Sequence, residues 1–347
     1  MSAVDVTPIL KALEGAGRAR IAVLGDYALD KYLYIDPDRD EPSVETGLTA
    51  YQVERKACFA GAGGTVVNNL RALGAQVVCI GLAGDDGDGF ELLRCLERQG
   101  ADTAHMVREA SICTSTYVKP MRRQPDGSYV EMNRLDIRSF TPTPPELERR
   151  LLEELEAVLP GVDGVIVLDQ FVQRDLGAVT DGLRAALGQM AKAHPEVLFY
   201  VDSRAFASEY RNMIVKCNDL ELMALAGGGG DPEDPEALRA KAEELLRESG
   251  NTFYVTRGSR GMMVFEPDCV RTVEAFPVTG PIDIVGAGDA SSAGIVLGLT
   301  LGLTPSQAAT LACCVSSITI QQIGCTGTAS IPQLVRRLKE YGNGGDQ

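Results

Sequence analysis

Residues 20–26 read R-I-A-V-L-G-D, a short apolar run that ends abruptly in Gly25-Asp26, and residues 76–86 read Q-V-V-C-I-G-L-A-G-D-D, a second run that ends the same way. Between them Thr65–Leu73 carries helical spacing and stops at Gly74, a residue that accepts the left-handed backbone of a helix end. Strand, helix and strand in that order imply a crossover unit. Runs at Gly164–Leu168, Leu198–Val201 and Thr252–Thr256 then alternate with helical patterns at Pro145–Val158, Asp175–Ala193 and Pro235–Ser249. The rhythm predicts a doubly wound, Rossmann-like α/β fold, a mainly parallel sheet with helices on both faces. Ligands of such sheets sit beyond the carboxyl ends of the strands.

One region breaks the rhythm. Thr114–Met121 and Ser128–Asp136 alternate polar and apolar residues and are joined by Pro125-Asp126-Gly127, a turn signal. They are expected to form a hairpin standing off the main sheet, and Tyr32–Gln52 to pair with it. The chain is therefore expected to be one domain over residues 1–347 with a small β lid from about 32–52 and 112–138. Residues 227–235 (G-G-G-G-D-P-E-D-P) read as a surface loop, and Tyr341–Gln347 as a tail without regular structure.

Composition narrows the function. With 347 residues, 45% of them apolar and 23% charged, the chain can bury a large core. Its formal charge of −15 opposes nucleic acid and anionic membrane as partners. No run is long enough to span a bilayer and the first twenty residues do not read as an export signal, so a cytoplasmic location is expected. Nine cysteines without a C-x-x-C pair suggest reduced thiols, and two histidines leave little for histidine triads or metal sites. Carboxylates, backbone amides, Lys and Arg must carry the chemistry.

The strongest motif is Asp283-Ile284-Val285-Gly286-Ala287-Gly288-Asp289, followed by a small-residue helix over 290–301. A glycine turn opening a helix offers unpaired N–H groups and the positive end of the dipole, which suits a terminal phosphate. Asp289 at its mouth can take the proton of an attacking hydroxyl, while the amides of Ala287 and Gly288 stabilise charge on the transferring group. An isolated G-x-G-D is equally a turn with an aspartate cap.

The longer D-x-x-G-A-G-D-x-x-x-x-G string resembles the PfkB/ribokinase carbohydrate kinases. The resemblance implies a ribokinase-type fold, ATP and Mg²⁺, Asp289 as base, Gly286, Ala287 and Gly288 as the anion hole, and K⁺ beside the loop near Asp283. Lys216-Cys217-Asn218-Asp219-Leu220-Glu221 resembles the family's K-P-N-x-x-E segment, with Cys217 in place of proline, and implies Asn218 and Glu221 as partners of metal-bound water. Thr256-Arg257-Gly258-Ser259-Arg260-Gly261 resembles the T-x-G-x-x-G turn, which places Thr256, Gly258 and Gly261 against the nucleotide. Gly25-Asp26 and Asp30 fall where the family holds its sugar. Gly61-Ala62-Gly63-Gly64-Thr65 with Asn69 resembles its G-G-x-x-N signature, with Ala62 on the second glycine and Thr65 on the asparagine; a shifted register uses Gly63, Gly64 and Asn68. Leu24-Gly25-Asp26, Arg134-Leu135-Asp136, Asp202 and Thr256-Arg257 resemble the kinase half of bifunctional heptose 7-phosphate kinase/ADP-heptose synthases. Asp202-Ser203-Arg204 replaces D-P-K of that group. Arg204, Lys119, Arg122, Arg123 and Arg134 offer cations for a sugar phosphate, or are ordinary surface charge.

Two rival readings stand beside a sugar kinase. One is a catalytically silent sugar- or nucleotide-binding relative, which Ala62, Thr65 and Cys217 favour and Gly286, Gly288 and Asp289 oppose. The other, a dinucleotide oxidoreductase, needs a G-x-G-x-x-G after the first strand that Gly25-Asp26 does not provide. The exposed edges of the hairpin, together with family habit, lead to the expectation of a homodimer paired through the lid.

Overall fold

The computed structural model describes residues 5–225, 231–249, 252–324 and 326–343. Its strands in chain order are β1 (Arg20–Gly25), β2 (Tyr27–Ile35), the two-residue β3 (Glu41–Pro42) and β4 (Thr49–Ala50), β5 (Val53–Ala62), β6 (Gln76–Gly84), β7 (Met106–Glu109), β8 (Thr116–Arg123), β9 (Tyr129–Glu131), β10 (Leu135–Ile137), β11 (Gly164–Asp169), β12 (Leu198–Ser203), β13 (Ile214–Asn218), β14 (Phe253–Thr256), β15 (Met262–Glu266) and β16 (Cys269–Val273). The helices are α1 (Thr7–Leu13), α2 (Gly63–Ala72), α3 (Gly87–Arg98), α4 (Pro145–Val158), α5 (Asp181–Ala193), α6 (Asp219–Leu225), α7 (Pro235–Ser249), α8 (Ala287–Thr300), α9 (Pro305–Thr319) and α10 (Ile331–Asn343).

The main sheet runs β16-β15-β14-β13-β12-β11-β1-β6-β7. It is parallel from β14 to β7, and only β15 and β16 at one edge are antiparallel. Strand side chains alternate between faces, so Ile21 and Val23 join the core under α2, α8 and α9, while Ala22 and Leu24 join the core under α4, α5 and α7. Chain order reverses between β1 and β11, since β1 leads to β6 on one side and β11 lies on the other. Such a switch point leaves a crevice at the strands' carboxyl ends.

The lid is larger than the sequence suggests. β2 and β5 form its long antiparallel pair, β8 runs parallel to β2, and β9 and β10 both pair with β8. The lid thus draws on residues 27–35 and 53–62, and most of 36–52 is loop around the short β3–β4 ladder. The second hairpin arm is broken at residues 132–134 into β9 and β10. α5 begins at Asp181 rather than Asp175, because Thr180 caps it by accepting from Leu183 N–H. Tyr341–Asn343 complete α10, with Tyr341 stacked on Phe276 at 4.1 Å; the rest of that proposed tail and residues 227–230 of the proposed loop lie outside the described residues.

Where β5 passes into α2 the chain crosses close to β2. A Cβ on Gly61 would stand 2.6 Å from Asp30 Oδ2, one on Gly63 3.0 Å from the Asp26 carbonyl oxygen, and one on Gly64 2.3 Å from Ala60 Cβ. Ala62, within this run, is forced to φ 49° and ψ −117°. An L side chain pays about 1–3 kcal/mol in such a conformation. Ala62→Gly should therefore stabilise the protein by about 1 kcal/mol, seen as a raised urea midpoint at unchanged slope; an unchanged or lowered midpoint contradicts the strain.

Candidate active site

Two strand ends create the centre of the site. Asp202 on β12 and Lys216 on β13 are register partners across parallel strands, and both lie on the face covered by α8. Lys216 Nζ donates to Asp202 Oδ2 at 2.6 Å, and both side chains are buried. Ser292 Oγ donates to the same oxygen at 3.0 Å, and Tyr200 OH donates to Ser292 Oγ at 3.0 Å. Burial opposes the charge of Lys216, but Asp202 more than restores it, so the ammonium stays protonated.

The first turn of α8 lies directly over this ammonium. A Cβ on Gly288 would be 3.2 Å from Lys216 Nζ. Gly286 takes φ 80°, the left-handed conformation that lets the chain enter the helix. The Ala287 N–H is already donated to the Ile284 carbonyl at 3.1 Å. This corrects the expectation for Ala287: the N–H groups of Gly288 and Asp289 are the ones without an acceptor among the described residues. With Lys216 beneath them they form an anion site.

Asp289 is partly exposed on that turn. Its surroundings exclude enough water to push its carboxyl up to about 7; repulsion from Asp202 adds to this, while Lys216 and Arg204 oppose it. A carboxyl poised near neutrality suits a general base.

On one side of this centre is a cavity of about 190 Å³ at the switch point, lined by Asp26, Ala62, Tyr117, Arg134, Arg138, Gln170, Phe171 and Arg204 among others. Asp26 and Arg134, two of the residues singled out for the acceptor, line it. The oxygens of Asp26, however, accept backbone N–H groups from Gln170 (2.7 Å), Phe171 (3.3 Å) and Ala178 (2.7 Å). Asp26 thus braces the 170–178 loop, and burial, with repulsion from Asp169, lifts its carboxyl to about 6 against the pull of those amides. Asp30 does not reach the cavity; it pairs in the lid with Lys119 at 2.7 Å. Asn69 is fully buried in α2, its amide donating to the Thr65 carbonyl. Gly61, Gly63 and Gly64 serve the chain crossing, and Thr65 packs under the glycine turn, its Cγ2 3.4 Å from a Cβ built on Gly286.

On the other side is an open groove of about 510 Å³, lined by Asn218, Asp219, Thr256, Arg257, Gly258 and Arg260 among others. It gathers the two motifs assigned to the nucleotide. Asn218 and Glu221 cap one another: Asn218 N–H donates to Glu221 Oε2 and Glu221 N–H to Asn218 Oδ1, each at 2.8 Å. Burial raises the Glu221 carboxyl. Cys217 is buried in the core, which explains how it replaces proline without disturbing the surface. Gly261 is structural rather than a groove residue, since a Cβ there would stand 2.0 Å from the Val273 carbonyl oxygen.

Four of the five cations singled out in the sequence are neutralised. Lys119 pairs with Asp30, Arg122 with Asp40, Arg123 with Asp36 and Asp38, and Arg134 with Asp136. Sequence reasoning missed Lys216 as a site cation and Arg138, Gln170 and Phe171 as cavity residues. The signal for Lys216 was its place two residues before a strand end next to Asp202. The 170–178 loop carried no comparable mark.

The nine-stranded sheet, the β lid and the glycine turn at the strand ends define a ribokinase-type α/β fold. The pfkB family carbohydrate kinase model matches residues 20–332, and the chain belongs to that family. Among relatives, the bifunctional protein HldE of Trichlorobacter lovleyi is 28% identical over 92% of this chain and 63% of its own, and that of Caulobacter sp. is 30% identical over 91% and 62%. The chain spans a little over three fifths of these curated relatives. Among solved structures, Arabidopsis thaliana ribokinase complexed with ribose and ATP has a TM-score of 0.66 at 17% identity, covering 92% of this chain and 99% of that one. Escherichia coli phosphofructokinase-2 in complex with potassium gives 0.71 at 17%, covering 94% and 99%.

Asp289 should titrate near 7 in carboxyl carbon-13 NMR, its signal assigned by loss in Asp289→Asn. A midpoint near 4, the range of an ordinary aspartate, contradicts the environment described.

Proposed function

We propose that the protein transfers the γ-phosphoryl group of MgATP to a hydroxyl of a sugar or sugar phosphate. The observation that carries this reading is the helix turn bearing Asp289 over the buried Lys216–Asp202 pair, at strand ends that line a cavity on the β11–β12 side and a groove on the β13–β14 side. The acceptor hydroxyl gives its proton to the Asp289 carboxylate as its oxygen bonds to the γ-phosphorus. The bond to the β–γ bridging oxygen breaks, and its electron pair leaves with ADP. The N–H groups of Gly288 and Asp289 and the ammonium of Lys216 take up charge on the transferring group.

Thr256, Gly258, Asn218 and Arg257 would hold the nucleotide. Mg²⁺ would lie against Asn218 and Glu221 and neutralise phosphate charge; among the described residues no donor competes for Glu221 Oε1, since Asn218 N–H goes to Oε2. An ion of this kind keeps several waters and binds through substrate phosphates as well as protein carboxylates. Both oxygens of Asp283 accept backbone N–H groups, from Val285 at 3.0 Å and Gly324 at 2.9 Å. That arrangement fits a latch between two loops better than a ligand for K⁺.

Heptose 7-phosphate is the leading acceptor, on the motifs shared with heptose kinases and the arginines of the cavity. The described cysteines are free thiols, which supports work in the reducing cytoplasm.

The test is ADP formation with MgATP and K⁺ against heptose 7-phosphate, fructose phosphates, free hexoses, ribose and nucleosides. One acceptor should be turned over, and Asp289→Asn should lower its kcat by about 10²–10⁴ while still binding ATP. Because Asp289 must be ionised to accept a proton, kcat should rise with pH through about 7. Silence across the panel with ATP bound would favour a regulatory binder instead.

The lid exposes Leu135, Ile137 and Val130, and a homodimer paired through these strands is the assembly proposed. Light scattering should give twice the chain mass of 37.0 kDa; a monomer at working concentration contradicts it.

A further inference from the structure

Arg204 is the one side chain among the five cations above for which the described residues supply no carboxylate. It follows the buried Asp202 and Ser203 at the carboxyl end of β12, and its backbone N–H is held by the Asp169 carbonyl at 3.1 Å. Its Cα is thus fixed by the sheet while its side chain is exposed and lines the acceptor cavity. In a protein with a formal charge of −15, a guanidinium at a cavity wall with no carboxylate partner among the described residues is a notable placement. Its neighbours give the placement a direction. Its charge is felt by Asp289 on the first turn of α8, and by Glu221, which caps the segment lining the nucleotide groove. Arg204 thus lines the cavity two residues past Asp202, whose carboxylate holds Lys216 under the first turn of α8, whereas the other two cavity arginines are engaged by neighbouring side chains. Arg134 is locked to Asp136 by two hydrogen bonds, of 2.6 and 2.8 Å, and Arg138 bonds Gln173 at 3.4 Å and lies over Phe140 and Phe171.

We infer that Arg204 is a catalytic residue that contacts the transferring phosphoryl group, rather than a binding residue for the far end of the acceptor. This rests on the kinase reading above. As the acceptor oxygen bonds to phosphorus and the bond to the ADP oxygen breaks, charge spreads over the three peripheral oxygens of the group in flight. Lys216 and the amides of Gly288 and Asp289 meet it from the helix side. Arg204 meets it from the cavity side with a planar, permanently charged fork.

The test uses the full chain as wild type, Arg204→Lys and Arg204→Met, with whichever acceptor of the panel the wild type phosphorylates. Arg204→Met should lower kcat about 10²–10³-fold, with the KM of ATP and of acceptor each within about threefold. Arg204→Lys should recover part of the loss, and added guanidinium should partly rescue Arg204→Met. Calorimetric titration of MgADP with acceptor should show tightening by aluminium fluoride in the wild type and none in Arg204→Met. Equal urea midpoints confirm that the variants are folded. An unchanged kcat, or an acceptor KM raised tenfold at constant kcat, overturns the assignment while leaving the kinase reading intact. A wild type that phosphorylates no acceptor overturns both.

Discussion

A protein with a formal charge of −15 can hold a polyanion only where positive potential is built locally and shielded from the surrounding carboxylates. In the proposed site such potential is built by the buried pair of Lys216 and Asp202 under the first turn of α8. Parallel register brings the two residues side by side at the carboxyl ends of β13 and β12. Asp202 keeps the buried ammonium charged; the helix above adds two free N–H groups. Burying such a pair costs several kcal/mol per ion in desolvation, repaid only when the geometry and further hydrogen bonds are good. Ser292 and Tyr200 supply those bonds. The same water exclusion that makes the pair costly raises Asp289, so in the proposed reaction phosphate binding and base strength would share one physical origin.

The acceptor side depends on a second buried acid. Asp26 closes the switch point by gripping three backbone amides of the 170–178 loop, and this loop forms one wall of the cavity. A carboxylate used in this way shapes the site without offering its lone pairs first to the ligand. The lid strands β2 and β5 start and end against the same crevice, and the glycines at 61, 63 and 64 allow the approach. Ala62 accepts strain there, where the family pattern has glycine.

Much of this was legible from residue order. The short apolar runs ending in Gly-Asp, each followed by a helical pattern, fixed the parallel sheet and told where its ligand edge lies. The string from Asp283 to Asp289 marked the helix turn. β5 was missed because V-E-R-K-A-C-F-A-G-A has neither the clean alternation of a half-buried strand nor the apolar content of a core strand; it lies on an exposed lid and is held by pairing with β2. Asp30 and Asp26 looked alike in sequence, four residues apart. One faces the lid and meets Lys119, the other faces the crevice and meets backbone amides, a difference set by the strand pairing between them. The cations were likewise indistinguishable until the fold gave four of them carboxylates and left Arg204 without one.

The most direct test of the central claim is a crystal structure of the protein with MgADP and aluminium fluoride, a mimic of the phosphoryl group in transit. The fluoroaluminate is expected within hydrogen-bond distance of the Gly288 and Asp289 backbone N–H groups and of Lys216 Nζ, with the carboxylate of Asp289 facing it from the acceptor side. A fluoroaluminate bound away from the first turn of α8, with Lys216 still engaged only by Asp202, would contradict the account.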